Sequence, residues 1–390
     1  MHKRMLLCIR NYACIIIFAL ILAAVPCRAG QVGTVRFGVS ISLSGTMSES
    51  GNAYLAGIKM RLEEFNKNAN KNGMRLDMVV LDDKSNKEKA VENYVELVDK
   101  HNVRAVLGPT ASTFAHAMRP YAAERKVPTI SPSATAPDIS MNNDWVFRIL
   151  FDDSFQGRAL ARYMAGKLGF KRAAVIVNKD VTYGKTVSEA FQEEFKKAGG
   201  TLVAEEWFEW NYADEKEHDF SANLRKIKAA KPQVVLLPGY SWEVAAILRQ
   251  ALTEDVDTVF CGGDTWQNEF VMLESGNKIL GSYFIAGRNI DSSAPEMRNF
   301  ATLYNMSNDT EARQNSFLGY DALSLLIEAL KAGDDGESIR DGLYAIRNFR
   351  LASGKITIDR ENGTLKSGYL YRVGMENDIF VPELVEEIAP

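Results

Sequence analysis

Cysteine and histidine are scarce in this sequence. Its 390 residues include four of each, and three of the cysteines, Cys8, Cys14 and Cys27, lie at the N-terminus. Cys261 is the only thiol in the remainder, so no disulfide is expected within it, and a chain of this length can form a sufficient core without one. No histidine stands three or four residues from another histidine or from a cysteine. This spacing argues against a metal site.

Motifs of nucleotide binding and nucleophilic catalysis are also missing. The sequence contains no GxGxxG after a predicted strand, no GxxxxGK[ST] and no GxSxG. A basic excess is missing as well, because 46 Lys and Arg residues stand against 50 Asp and Glu residues, for a net charge of −4. A nucleic-acid-binding protein normally shows the opposite balance. These absences predict a protein without a cofactor, without a nucleic-acid partner and without enzymatic activity.

The N-terminal segment differs in composition from the rest. A basic start precedes an uncharged apolar run over 13–25, which is shorter than the roughly 20 residues that span a bilayer. Pro26 ends the run, and Ala29 provides a small residue before a cleavage position. The pattern is that of a cleavable secretory signal peptide over 1–29, which indicates export. An uncleaved anchor and lipidation of Cys27 are the alternatives.

Cleavage would change the overall numbers. The mature chain would have 361 residues, with 42 basic and 50 acidic side chains and a net charge of −8. No second apolar stretch reaches the length of a membrane span, so the mature chain is expected to be soluble.

Short apolar runs alternate with amphipathic segments through most of the chain. This order is typical of α/β folds with parallel sheets and right-handed crossovers. There are more units than one doubly wound sheet carries, so two doubly wound parallel-sheet domains are predicted. Since no Pro- or Ser-rich linker is present, we expect a hinge of three short crossings near Leu150, Ala286 and Ser353. The predicted domains are 30–150 plus 286–352 and 151–285 plus 353–390.

Individual elements can also be predicted. Near the C-terminus, strands over 355–359 and 368–373 are expected on either side of a turn at Asn362 and Gly363. The strands predicted before that point are 35–43, 76–81, 103–107, 129–130, 145–149, 173–178, 201–208, 233–238 and 258–261. The predicted helices are 53–68, 87–100, 113–125, 154–168, 184–198, 219–230, 241–252, 315–332 and 336–347.

Small polar and aromatic residues follow several of the predicted strands. In open α/β sheets, ligands bind beyond the carboxyl ends of the strands. Ser112 stands where a helix begins, so it either caps that helix or, with the first-turn amides, binds an anion. Asp264 can accept from an ammonium group. The strand-end residues of these kinds are Ser112, Ser133, Thr135, Tyr183, Tyr240, Trp242, Asp264 and Trp266. Such a set is the composition expected of a pocket for a zwitterion.

At these residues the chain resembles the periplasmic Leu/Ile/Val-binding protein family of ABC transporters, the type I solute-binding proteins. The order and spacing of many short segments carry the resemblance, which covers nearly all of the mature chain. The segments are Val39–Gly45, Asp82-Asp83, Gly108–Ser112, Ile130–Thr135, Phe147-Arg148, Gln156-Gly157, Tyr183-Gly184, Asp219–Ser221 and Tyr320–Ala322. The resemblance implies the type I periplasmic-binding-protein fold, in which two α/β domains close over a ligand.

The resemblance also implies roles for polar residues. Ser112 and Thr135 match positions whose hydroxyls and amides bind the α-carboxylate of an amino acid. Ser133 matches a position whose backbone carbonyl accepts from the ammonium group. Asp264 matches the acidic residue that pairs with the ammonium, although the branched-chain amino acid binders use the longer glutamate there.

Other matched positions concern the pocket walls. Tyr183 and Tyr240 match aromatic positions of the second domain that close over the ligand. Ser50 stands where branched-chain amino acid binders have an aromatic residue, while Trp242 and Trp266 add bulk as possible pocket walls. We therefore expect a pocket that differs from the standard aliphatic one. An amino acid with another side chain, a related amide and a small carboxylate all stay open as ligands.

The function implied by the resemblance is that of a periplasmic substrate-binding protein of an ABC transporter. It would capture an amino acid or similar small molecule by hinge closure and deliver it to a membrane permease, acting as a monomer. The alternative is a ligand-binding sensory protein of the same fold that works with a separate signalling receptor.

Overall fold

The structure is a computed structural model that describes residues 33–140, 143–210, 218–308 and 310–390, except for the side chains of 70 and 72. The predicted signal peptide over 1–29 lies outside the described residues. The strands are β1 (Gly33–Ile41), β2 (Met74–Asp82), β3 (Val106–Leu107), β4 (Thr129–Ser131), β5 (Val146–Arg148), β6 (Arg172–Asn178), β7 (Thr201–Phe208), β8 (Val234–Leu236), β9 (Val259–Gly262), β10 (Tyr283–Ala286), β11 (Phe349–Leu351), β12 (Gly354–Asp359), β13 (Gly363–Leu365), β14 (Gly368–Glu376) and β15 (Ile379–Ile388).

Helices alternate with these strands as predicted. The α-helices are α1 (Ser48–Lys67), α2 (Ala69–Asn72), α3 (Lys87–Asp99), α4 (Ser112–Arg125), α5 (Asp153–Arg162), α6 (Thr182–Lys197), α7 (Ser221–Ala230), α8 (Ser241–Thr253), α9 (Glu269–Glu274), α10 (Pro295–Ser307), α11 (Gln314–Ala329) and α12 (Gly336–Tyr344). None of these described helices is both long and apolar enough to span a membrane.

Two sheets form the centre of the molecule. The first contains five parallel strands in the order β2-β1-β3-β4-β5. The second has the order β15-β14-β10-β9-β8-β6-β7, in which β7, β6, β8, β9 and β10 are parallel. The parallel parts of the two sheets therefore have the same winding. Each has a topological switch point, between β1 and β3 and between β6 and β8, where doubly wound sheets bind ligands.

The second sheet ends in two antiparallel strands. β14 pairs antiparallel with β10 and with β15. The two strands predicted over 355–359 and 368–373 do not pair with each other across the turn, because β12 pairs with β13. The turn at Asn362 and Gly363 joins β12 to β13.

The chain passes between the two sheets three times. The first passage follows β5 and the second follows β10, close to the predicted Leu150 and Ala286. β11, β12 and β13 form a separate small sheet, and Ile356 and Ile358 of β12 belong to the hydrophobic cluster of the first sheet. The third passage therefore lies at 366–367, between β13 and β14, rather than at Ser353.

Helices α1 and α11 pack closely together on the first sheet. A Cβ at Gly57 of α1 would overlap the carbonyl oxygen of Ser316, and a Cβ at Gly319 of α11 would overlap that of Tyr54. Glycine at both positions lets the two helix backbones approach each other. This contact brings side chains of both helices to the carboxyl end of the first sheet.

Candidate ligand-binding site

A cavity of about 80 Å³ lies where the carboxyl ends of the two sheets face each other. The volume corresponds to several water-sized groups, and therefore to a small ligand. Its walls come from segments after β3 and β4, from segments after β6, β8 and β9, and from α1 and α11. The predicted site residues that line it are Ser50, Ser112, Ser133, Thr135, Tyr183, Tyr240, Trp242 and Asp264.

Ser112 connects two strand-end loops on the first-domain side of the cavity. Its Oγ accepts hydrogen bonds from the backbone N–H groups of Thr135, at 3.1 Å, and Ala136, at 3.2 Å. The hydroxyl keeps its own proton for donation. Ser112 is also the first residue of α4, whose N-cap Ala111 supplies no side-chain cap. A hydroxyl donor beside the uncapped amides of a helix N-terminus is suited to a carboxylate.

Thr135 is held by contacts within the protein. Its amide donates to Ser112, and its carbonyl accepts from the backbone N–H of Asp153 at 3.0 Å. The amide that the resemblance assigns to a ligand carboxylate is therefore engaged within the protein, and it orients Ser112. Neighbouring Ser133 donates through Oγ to the carbonyl of Thr110 at 2.9 Å.

Asp264 lies on the opposite side of the cavity, at the end of β9. Its backbone N–H donates to Gln156 Oε1 at 2.8 Å. Burial raises the pKa of Asp264 from 3.8 to about 6, although hydrogen bonds from Gln156 and Tyr183 oppose the shift. Within the described chain, its Oδ1 is buried and has no hydrogen-bond partner. A buried carboxylate oxygen of this kind requires a cationic or donor partner.

Three aromatic rings form a wall on the second-domain side. Tyr240 stacks on Tyr183, with ring centroids 5.8 Å apart, and on Trp242, with centroids 5.2 Å apart. The backbone N–H of Tyr240 donates to Glu243 at 2.8 Å, which fixes the start of α8. A Cβ at Gly263 would overlap the hydroxyl of Tyr183. Glycine at this position therefore lets Tyr183 reach Asp264.

Trp266 does not line the cavity. Its side chain is fully buried in the core of the second sheet, and its Nε1 donates to the carbonyl of Leu237 at 3.0 Å. The predicted pocket wall at Trp266 is thus a core residue.

Several cavity residues were not predicted from the sequence. Tyr54 of α1 is buried, and its hydroxyl interacts with Ser133. Gln267 follows the turn that contains Asp264, and Gln314 is the first residue of α11. Neither Tyr54 nor Gln314 follows a strand, so the strand-end rule could not indicate them.

The two sides of the cavity are in direct contact. Thr182, the first residue of α6, donates from its backbone N–H to Thr113 Oγ1 at 3.2 Å. Arg313 contacts Glu49 of α1 at 3.2 Å and also forms an ion pair with Glu269 of α9. These contacts join the two sides of the cavity directly.

Other candidate chemistry is limited in this structure. Among the described residues, no group of three or more His, Cys, Asp or Glu side chains is placed to hold a metal ion. Cys261 on β9 is fully buried, and burial raises the pKa of its thiol. The Cys261 thiol is thereby disfavoured as a thiolate nucleophile.

Two similarly wound α/β sheets whose carboxyl ends enclose a cavity with polar and aromatic walls define a ligand-binding protein. The chain belongs to the periplasmic binding protein family, whose family model matches residues 34–375.

Relatives and solved structures agree with this family. The chain is 27% identical over 337 residues to the leucine-, isoleucine-, valine-, threonine- and alanine-binding protein of Pseudomonas aeruginosa, which covers 86% of this chain and 88% of that protein. It is similar in structure to a leucine-binding protein of Thermotoga maritima, with 28% identity, a TM-score of 0.82, and coverage of 91% and 99% of the two chains.

A benzoate complex shows the same fold at lower identity. The solute-binding protein of an ABC transporter from R. palustris, solved with benzoate, has 21% identity and a TM-score of 0.79, with 92% of this chain and 98% of that chain covered. These similarities confirm the predicted family, the type I periplasmic-binding-protein fold and the class of ABC-transporter substrate-binding protein.

Proposed function

We propose that this chain captures an amino acid in the periplasm and delivers it, as a monomer, to the membrane permease of an ABC transporter. The observation that carries the proposal is one cavity with two opposed charge sites. Ser112 and the N-terminus of α4 form an anion site in the first domain, and Asp264 offers an unpartnered carboxylate oxygen in the second. An α-amino acid carries the complementary carboxylate and ammonium groups on one carbon.

Asp264 also separates an amino acid from an aromatic acid. A benzoate offers only a carboxylate, which would leave Asp264 Oδ1 without a partner in a buried site. An unpaired buried charge is unfavourable by several kcal/mol, about 2–5. The branched-chain amino acid specificity of relatives supports an amino acid ligand, since those relatives cover most of this chain.

The proposed mechanism is closure about the three passages. The ligand first binds through its carboxylate to the first domain, and the second domain then adds Asp264 and the Tyr183–Tyr240–Trp242 wall. We propose that the chain forms the two domains predicted from the sequence, except that the boundary predicted at 352–353 lies at 366–367. The boundary moves because β12 packs with the first sheet. Only the closed form presents both charge sites, so full affinity requires both domains.

The experiment is a thermal-unfolding screen of the mature chain, residues 30–390, against amino acids, simple amides and aromatic acids. A ligand at 100 times its Kd adds about 2.7 kcal/mol of stability. We expect one or more free amino acids to stabilise the protein. The corresponding N-acetyl amino acids, which lack the ammonium group, should not stabilise it. Stabilisation by aromatic acids alone would contradict the proposal. Uptake of the radiolabelled ligand, compared between cells with and without the gene, distinguishes transport from a sensory role.

A further inference from the structure

Two glutamine side chains line the cavity from opposite domains. Gln267 follows β9 in the second domain, and Gln314 begins α11 in the first. In the part of the chain that the structure describes, Gln267 Oε1 and Gln314 Nε2 are shielded from solvent and have no hydrogen-bond partner. The pair therefore leaves one acceptor and one donor without partners beside the cavity.

Arg288 fixes the orientation of both amides. Gln267 Nε2 donates to the backbone carbonyl of Arg288 at 3.3 Å, and Arg288 Nε donates to Gln314 Oε1 at 3.3 Å. If the Gln267 amide were flipped, its Oε1 would face the carbonyl oxygen of Arg288. If the Gln314 amide were flipped, its NH₂ group would face Arg288 Nε, which is also a donor. The Arg288 guanidinium is itself held 4.3 Å from the ring centroid of Phe317. The acceptor of Gln267 and the donor of Gln314 are thus the atoms left for a ligand.

Resting on the proposed function, we infer that the ligand is an amino acid whose side chain carries a carboxamide. The side-chain NH₂ donates to Gln267 Oε1, and the side-chain carbonyl accepts from Gln314 Nε2, while the ammonium pairs with Asp264. A carboxamide carries this donor and this acceptor on a single carbon. A side-chain carboxylate would instead place negative charge against the Gln267 oxygen and near Asp264.

Leucine is the most informative comparison ligand, because its side chain has nearly the same shape as that of asparagine but carries no hydrogen-bonding group. With leucine bound, both glutamine amides would stay buried and unpaired. Each unpaired group weakens binding by about 5- to 150-fold. Asparagine or glutamine is therefore expected to bind at least about 25-fold more tightly than leucine.

The test is calorimetric titration of the mature chain with L-asparagine, L-glutamine, L-threonine and L-leucine. We expect asparagine or glutamine to bind most tightly and leucine most weakly. Leucine binding within about fivefold of both amides would overturn the carboxamide inference and leave the proposed amino-acid function standing. If none of these or other free amino acids binds, the proposed function itself fails.

Two variants assign the preference to the glutamines. In Gln267→Met and Gln314→Met, a thioether of similar length replaces each amide, so the affinity ratio of amide ligand to leucine should fall by about 5-fold or more. The control is Gln192→Met on the outer part of α6, where the glutamine contacts Ser188 and Glu205. An unchanged ratio in both cavity variants, or an equal change in the control, would overturn the assignment. The ranking in the unmodified protein tests the inference even if a variant does not fold.

Discussion

Replacement of Asp264 by asparagine is expected to weaken ligand binding and to stabilise the ligand-free protein. The substitution keeps the shape of the side chain and removes its negative charge. The ligand ammonium then loses the partner provided by Oδ1, which is otherwise unpaired within the described chain. Truncating one partner of a buried charge pair costs about 2–5 kcal/mol, so the Kd should rise by about 30-fold or more.

The stability change has the opposite sign. The folded-state pKa of Asp264, about 6, lies above the ordinary value of 3.8, so the ionised carboxylate opposes folding above that pH range. At about 1.4 kcal/mol per pKa unit, the destabilisation at pH 7 is roughly 3 kcal/mol. Asparagine should recover up to that amount at pH 7, and the gain should shrink as the pH falls through 6 toward 4, where the native carboxyl is neutral.

Urea unfolding of the ligand-free protein and calorimetric titration measure the two effects separately. Asp83→Asn is the matched control, since burial also raises the pKa of Asp83 to about 6 and the residue does not line the cavity. We expect this control to gain stability at pH 7 with an unchanged Kd. A Kd for Asp264→Asn within threefold of the parent value, or a loss of ligand-free stability at pH 7, would refute the reasoning.

Further predictions concern pH, packing and the domain contact. Ligand affinity should decrease as the pH falls through about 6, because the ammonium requires the ionised form of Asp264. The decrease should approach tenfold per pH unit, and calorimetric titrations at several pH values measure it. Gly263→Ala should raise the Kd by about tenfold, since the added methyl displaces the Tyr183 hydroxyl. Arg313→Gln removes an exposed ion pair with Glu269, so calorimetry should show a rise in Kd of less than about fivefold that diminishes at high salt.

Each of these predictions has its own control. Asp264→Asn should abolish the pH dependence of affinity, and a dependence that persists would assign it to another group. Gly166→Ala should be harmless, because an added Cβ there meets nothing within 4 Å. Arg225→Gln removes an exposed ion pair with Glu254, at 3.3 Å, within the second domain and should leave the Kd unchanged. A similar loss of affinity in Gly166→Ala and Gly263→Ala would contradict the packing argument.

The sequence predicted the strand-end part of the cavity because the two sheets have the same winding and their carboxyl edges face each other. Ser112 and Asp264 were therefore indicated without any contact information. Trp266 was misplaced because the short turn over Asp264–Trp266 reverses the side-chain direction within two residues. The aspartate faces the cavity while the tryptophan enters the core.

The parts that were missed depend on tertiary packing. Gln314 reaches the cavity only because α1 and α11 approach closely at Gly57 and Gly319, a contact that no local pattern reveals. Strand β15 was not predicted; it is a largely exposed edge strand that contains Pro382, and proline within an apolar run argues against a strand. The third passage was placed at Ser353 because β11, β12 and β13 form a separate small sheet that the sequence does not distinguish from the second domain.

Arg288 lies in the second passage between the sheets, and its contacts bear on how the protein discriminates between ligands. Its backbone holds a residue of one domain, and its guanidinium holds a residue of the other. A change of the angle between the domains at this passage is therefore expected to separate the two amides. In the open protein, the ligand side chain would then not contact both amides at once. We expect discrimination to appear in the closing equilibrium and in the dissociation rate, while different amino acids first associate with the open protein at similar rates. Ligands would therefore differ mainly in how long each one keeps the two domains closed.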